Sequence, residues 1–188
     1  MTLHWTDALA QHWGIQATLT QLAGEYDLNF LAETSAGEGY ILKVMRPGCD
    51  RALIEMQVSA LTHVQGQQLA GLYPEVIATQ QGAACTTCLD ADGNLRLLWL
   101  LTRLPGRNYA QSGPKTQALD NDLCRAIGAT DRVFETFCHP ALERDFKWNL
   151  MRALWIKPEL VVISDPGRRR LLQKIVMDFS TILEQLQN

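Results

Sequence analysis

Lys43 lies in the middle of an apolar run, Tyr40-Ile41-Leu42-Lys43-Val44-Met45. An ammonium group among such neighbours needs a reason, because burying it without a partner costs several kcal/mol. One reason is bland: the stem covers apolar surface and the head reaches water. On a strand, Ile41, Lys43 and Met45 share one face, and Tyr40, Leu42 and Val44 the other. Upstream, Gly24 and Asp27 bound a Gly-x-x-Asp turn between two further apolar runs, a pattern most often found as a plain turn. Asn29 follows, placed either to bond back across that turn or to reach a ligand.

Other residue groups with chemical potential carry less. Cys85 and Cys88 form one Cys-x-x-Cys, but a zinc site needs four ligands and no second pair is spaced to complete it. Asp90 and Asp92 lie in a turn without the terminal glutamate of a calcium loop. His139 precedes Pro140 with no carboxylate or histidine at useful spacing, so capping is its default role. Asp178-Phe179-Ser180 imitates a metal-binding Asp-Phe-Gly, but Phe179 falls on a helical apolar stripe, which a metal-holding loop would break. No catalytic or metal-binding residue is assigned.

The elements that must position Lys43 follow from periodicity and breakers. Strands are predicted at 17–22, 28–34 and 40–45, with glycine-bearing turns between them. Pro47-Gly48 ends the third strand. Asp50 then caps a helix to about Gln65, with Leu53, Met56, Ala60, Leu61 and Val64 at three- and four-residue steps. A fourth strand is expected at 75–79, and 80–87 reads as loop or frayed strand. The run Leu95-Arg96-Leu97-Leu98-Trp99-Leu100-Leu101-Thr102-Arg103-Leu104 is expected to be a central strand covered on both faces. Before all of these, Thr6 is a plausible N-cap for a short helix ending near Gly14, with Leu9 and Trp13 on one face. After residue 107, a polar linker leads to a helix over about 115–137. A short helix within 141–156 follows, and then a last helix begins at Asp165. Leu171, Leu172, Ile175, Val176, Phe179, Ile182, Leu183 and Leu186 make its stripe.

Composition excludes some classes. The 188 residues carry 47% hydrophobic and 20% charged side chains, ordinary for a globular protein. A net charge of -3 argues against a nucleic-acid binder. No apolar run approaches the ~20 residues needed to span a membrane, and the N-terminus lacks the pattern of a signal peptide. Five cysteines, an odd number without regular spacing, read as reduced thiols of a cytoplasmic protein.

Four segments in order resemble the aminoglycoside phosphotransferase and choline kinase group, near type II homoserine kinase and hydroxylysine kinase. They are Leu22-Ala23-Gly24-Glu25-Tyr26-Asp27-Leu28-Asn29-Phe30, Tyr40-Ile41-Leu42-Lys43-Val44, Thr102-Arg103-Leu104-Pro105-Gly106-Arg107, and His139-Pro140 followed by Asp145-Phe146-Lys147-Trp148-Asn149-Leu150. The resemblance implies an α+β, protein-kinase-like N-lobe, with a five-stranded antiparallel sheet plus a helix, over 1–106. A truncated helical C-lobe would fill 107–188. It also implies ATP with magnesium as the cofactor. The Gly24–Asp27 turn and Asn29 would lie over the phosphates, with Lys43 reaching them and Ile41 nearer the adenine. Backbone groups around Thr102, Arg103 and Leu104 would meet the adenine edge. The helix glutamate that pairs with the lysine in such folds has two counterparts here: Gln57 by position and Glu55 by charge.

The same resemblance implies residues this sequence does not contain. A later loop of the form His-x-Asp-x-x-x-x-Asn supplies the base and a magnesium ligand in this group. None of His4, His12, His63 and His139 begins such a motif. Three readings follow: the amino-terminal part of a small-molecule kinase, a binding or regulatory module that kept the lobe, or an enzyme completed by another chain. The substrate class, a hydroxyl on an amino alcohol or amino acid, comes from the resemblance alone. A downstream domain or partner chain would cover the last helix, and neither nucleic acid nor membrane is expected as a partner.

Overall fold

The computed structural model describes residues 2–67, 69, 71–144 and 148–186. Of the segments read above, Asp145-Phe146-Lys147 and the terminal Gln187 and Asn188 lie outside the described residues. Two compact units are present, Met1–Leu142 and Glu143–Asn188. The first contains α1 (Thr2–Trp13), β1 (Thr18–Leu22), β2 (Leu28–Glu33), β3 (Gly39–Val44), α2 (Arg51–Gln65), β4 (Val76–Ile77), β5 (Thr86–Leu89), β6 (Leu95–Thr102) and α3 (Gln117–Phe134). The strands form one antiparallel sheet in the order β1-β2-β3-β6-β4, with β5 also paired to β6.

One face of the sheet is covered by α1 and the other in part by α2, and residue parity decides what each face holds. Leu19, Phe30, Ala32, Leu42, Val44, Leu98 and Leu100 point to one side and pack with Trp5, Ala8, Leu9 and Trp13 of α1. Met45, Trp99 and Leu101 point to the other and pack with Ile54 of α2 and with Cys85. This explains the nearly unbroken apolar sequence of β6, whose Leu98, Trp99, Leu100 and Leu101 are all buried. The first helix does not start after Thr6, as its capping chemistry predicts, but at Thr2. Trp5 is only 3% exposed, so the apolar stripe already runs through Trp5, Ala8 and Leu9, and packing carries the helix across Thr6. At the other end, Trp13 Nε1 donates to the Ile77 carbonyl at 2.9 Å, and Gln80 N–H to the His12 carbonyl at 2.9 Å.

A sixth strand, β5, extends the five expected. Its residues Thr86–Leu89 pair in register with Leu98 to Leu95. The hairpin turn is fastened by Asp90, whose carboxylate accepts from the N–H groups of Asp92 (3.0 Å) and Asn94 (2.8 Å) and from the Arg96 guanidinium (3.0 Å). Arg96 Nε also donates to the Met45 carbonyl at 2.6 Å, which ties the hairpin to the end of β3. Burial raises the Asp90 pKa, but the hydrogen bonds from Asn94, Arg96 and Asp92 outweigh it and hold the carboxyl below its ordinary value of 3.8. A carboxylate with a lowered folded-state pKa contributes stability that is present above the unfolded-state value and lost as pH falls through the folded one. Asp90→Asn is therefore expected to lower the thermal midpoint at pH 7. The gap from wild type should close on acidification below the ordinary aspartate value. A gap that stays constant in melts from pH 7 to 2.5 would rule out the ionised carboxylate as the source.

Asp50 caps α2 as its sequence predicts, accepting from Ala52 N–H at 2.9 Å. Helix α3 is shorter than expected because Thr116 caps it, accepting from Leu119 N–H, while the Lys115 amine is engaged by the Tyr109 carbonyl and the Ser112 hydroxyl. It docks on α2 through His63, whose Nε2 lies 2.8 Å from the Val133 carbonyl. The same imidazole lies against the rings of Phe134 and Phe137.

In the second unit a 3-10 turn at Leu150–Ile156 stands inside the span where a short helix is expected, and another follows beyond it at Pro158–Val162. Asn149 caps the first of these, accepting from Met151 N–H at 3.0 Å. Helix α4 (Pro166–Leu186) buries Val176 and Leu183. Asp178 sits on its surface and pairs with Lys174 one turn away at 3.0 Å, as the helical stripe through Phe179 requires.

Candidate functional site

The β1–β2 turn is closed by its own residues. Asp27 Oδ1 accepts from Arg46 N–H at 2.8 Å, which fastens the turn to the end of β3. The Arg46 guanidinium lies 5.6 Å from the centre of the Tyr26 ring. Of the two roles open to Asn29, the structure has the local one: Nδ2 points to the Asp27 carbonyl at 3.4 Å. Gly24 is where these groups converge. A Cβ there would stand 2.4 Å from the Asp27 carbonyl oxygen and 2.6 Å from Asn29 Nδ2. Gly24→Ala is accordingly expected to cost roughly 1–3 kcal/mol in chemical denaturation, since backbone must move to admit the methyl. An unchanged midpoint would show that the turn opens freely.

Strand register places Lys43 in a row that crosses the sheet. Leu22 of β1 pairs with Asn29 of β2, Asn29 with Lys43 of β3, and Lys43 with Trp99 of β6. The next row on the same face is Thr20, Leu31, Ile41 and Leu101. Ile41 is half-buried and Leu101 buried. Lys43 and Ile41 are thus brought together with Asn29 on one surface, whose end toward α2 is covered. Sequence reasoning missed Leu22, Leu31, Leu101 and Trp99. Only the pairing register, a relation between distant residues, reveals them.

Neither counterpart of the helix glutamate reaches Lys43. Gln57 Nε2 donates to the Leu53 carbonyl at 3.2 Å, one turn back in its own helix. Glu55 is exposed and forms no ion pair among the described residues. Helix geometry sets the difference in direction: at ~100° per residue, Gln57 lies about 60° from the buried Ile54 and Glu55 about 100°. The amine of Lys43 instead lies 5.6 Å from the centre of the Trp99 ring.

At the end of β6 the backbone is largely committed. Thr102 N–H donates to the Glu75 carbonyl at 2.9 Å, and the Thr102 hydroxyl accepts from Glu75 N–H at 2.9 Å. Arg103 N–H donates to the Gly39 carbonyl at 3.2 Å, and its guanidinium pairs with Glu33 at 2.9 Å. Leu104 is the first residue past this ladder; its side chain is exposed, and among the described residues its backbone N–H has no partner. Of the three residues at this bend, only Leu104 keeps its N–H free for a ligand.

The site can therefore offer a cation, an apolar shelf and a free backbone donor on one sheet. That set suits an adenine nucleotide. Among the described residues no group of three or more His, Cys, Asp or Glu side chains could hold a metal ion.

A family model described as "Phosphotransferase enzyme family" matches residues 18–187. Among solved structures, a microcompartment-associated aminopropanol kinase superposes with a TM-score of 0.63 at 18% identity, over 84% of this chain and 48% of that one. An amicoumacin kinase in complex with AMP-PNP and Ca2+ superposes with a TM-score of 0.62 at 17% identity, over 90% of this chain and 52% of that one. The chain thus spans about half the length of these structural relatives. A comparison with curated proteins gives no match.

Proposed function

Because the chain belongs to the phosphotransferase enzyme family, we propose that it provides the nucleotide-binding part of an ATP-dependent small-molecule kinase. In this reading residues 1–106 are the nucleotide lobe and 107–188 part of the helical lobe. Lys43 binds the phosphates. Ile41, with Leu22 and Leu31, forms the apolar bed for the adenine, and Leu104 N–H meets its edge. The Gly24–Asp27 turn lies over the phosphates, and Asn29 helps hold its shape. The single observation that carries the reading is the position of Lys43. It lies on a half-covered sheet face beside Ile41, without a carboxylate partner among the described residues.

Charge neutralisation on the phosphates is what magnesium would supply. The described residues offer no acidic cluster to hold it, and the sequence has no His-x-Asp-x-x-x-x-Asn motif. The chain's own share is then binding and orientation. Base and metal ligands would come from further sequence or from a second chain. Without the base alone, transfer would be slower by ~100- to 10,000-fold. Support for an outside contribution comes from α4, where Leu171, Ile175, Ile182 and Leu186 are exposed. The acceptor is a hydroxyl on an amino alcohol or amino acid; the aminopropanol kinase among the structural neighbours supports that class. No helix among the described residues is long and apolar enough to cross a membrane. The odd cysteine count supports a cytoplasmic location.

A non-catalytic binding module is the second reading, favoured by the missing partner of Lys43 on α2. Calorimetric titration of magnesium ATP into the chain tests both readings. Saturable binding is expected. A chain that is folded by circular dichroism yet takes up no nucleotide would overturn the nucleotide-lobe assignment.

A further inference from the structure

We infer that Trp99 is the residue that positions Lys43, taking the place held by a helix carboxylate in kinase-like lobes. The inference rests on the nucleotide-lobe reading, which it deepens. Lys43 and Trp99 are direct cross-strand partners in β3 and β6. Directly opposed side chains on an antiparallel pair stand on the same face, a few ångströms apart. The Lys43 amine lies 5.6 Å from the centre of the indole, within the range in which a cation is drawn to the negative face of the ring. Trp99 is 2% exposed, so the ring is fixed by Met45, Ile54, Cys85 and Leu101 around it. Among the described residues two other cation–ring contacts involve rings that are far more open: Tyr26 is 52% exposed and Tyr109 39%.

Two further observations point the same way. The α2 residues placed to pair with the lysine do not: Gln57 bonds to the Leu53 carbonyl, and Glu55 forms no ion pair among the described residues. In addition, the Trp99 Nε1–H is buried and finds no hydrogen-bond partner among the described residues. A buried, unsatisfied donor lowers stability, and phenylalanine would fill most of the same space without it. A tryptophan here is explained if the larger π-face, the best of the aromatic cation acceptors, is what the position needs. The arrangement differs from an ion pair in one consequence. A carboxylate would neutralise the ammonium, whereas the ring orients it and leaves its charge available to a phosphate.

The test uses the chain itself and three variants. The chain has five lysines, so the ε-methylene signals in a carbon–proton correlation spectrum are few, and the Lys43 signal is the one that Lys43→Ala removes. In the nucleotide-free wild type it should be shifted upfield by the indole ring current. Trp99→Phe should keep an upfield shift, and Trp99→Leu should abolish it. Titration with magnesium AMP-PNP should show affinity weakened about 3- to 30-fold in Trp99→Leu and by a smaller factor in Trp99→Phe, whose π-face is the weaker cation acceptor. The rescue by phenylalanine separates positioning from mere core filling, which leucine also provides. Wild-type affinity in Trp99→Leu, or a Lys43 signal without upfield shift in the wild type, overturns the inference and leaves the nucleotide reading standing. If Trp99→Leu fails to fold, the Lys43 signal of the wild type still decides, because the absence of an upfield shift overturns the inference. No AMP-PNP binding by a wild type that shows the upfield shift overturns the nucleotide reading, and the positioning role with it.

Discussion

Lys43→Ala is expected to weaken binding of magnesium ATP by about 10- to 150-fold, because a hydrogen bond to a charged group is worth roughly 1.5–3 kcal/mol. The change should leave the lobe folded. Lys43 makes no ion pair among the described residues, so its removal strands no buried carboxylate. What the substitution removes is the attraction between the amine and the Trp99 ring at 5.6 Å, worth roughly 0.5–2 kcal/mol. Calorimetry reports the affinity and thermal unfolding of the same sample reports the fold. An affinity within threefold of wild type, in a variant that melts normally, would sink the assignment of Lys43 to the phosphates. A variant that loses both together would mean that the amine is part of the core, the bland account of a lysine in an apolar strand.

What could be read from the sequence divides along a physical line. Features set by residues close in the chain were legible. The strands β1, β2 and β3 follow from alternation with glycine turns between them, and Asp50 was legible as a cap because its partner, Ala52 N–H, is two residues away. Lys43 and Ile41 share a face by parity alone. Features set by pairing between distant segments were not. Trp99 lies 56 residues beyond Lys43, and only the β3–β6 register makes them neighbours. Strand β5, Thr86-Thr87-Cys88-Leu89, is short and weakly patterned; it exists because β6 offers an edge and Asp90 locks the turn. The role of Asn29 depended on where the Asp27 carbonyl points, which a glycine-bearing turn leaves undetermined. The strand was expected to run to Leu104 and ends two residues earlier, at Thr102; which N–H groups stay free at this bend depended on Glu75 and Gly39, both remote in sequence.

The largest stability effect is expected one residue away from Lys43. Leu42→Ala should destabilise the first unit by about 2–5 kcal/mol, the range for a leucine truncated in a core that relaxes only in part. Leu42 is fully buried. It pairs across the sheet with Phe30 and Leu100 and lies in the cluster closed by Trp5, Leu9 and Trp13 of α1. Parity makes the comparison informative: Leu42 faces α1, and Lys43 faces α2 and the proposed nucleotide. Under conditions where Leu42→Ala remains folded, it should bind nucleotide within a few-fold of wild type, the reverse of Lys43→Ala. Urea unfolding gives the first quantity, from a lowered midpoint at unchanged slope, and titration at low temperature gives the second. A loss below about 1 kcal/mol would mean that α1 does not close over this face, because an uncovered leucine has little burial to lose. Nucleotide affinity that falls with stability would mean that the two faces of β3 are coupled, and that the strand transmits core strain to the site.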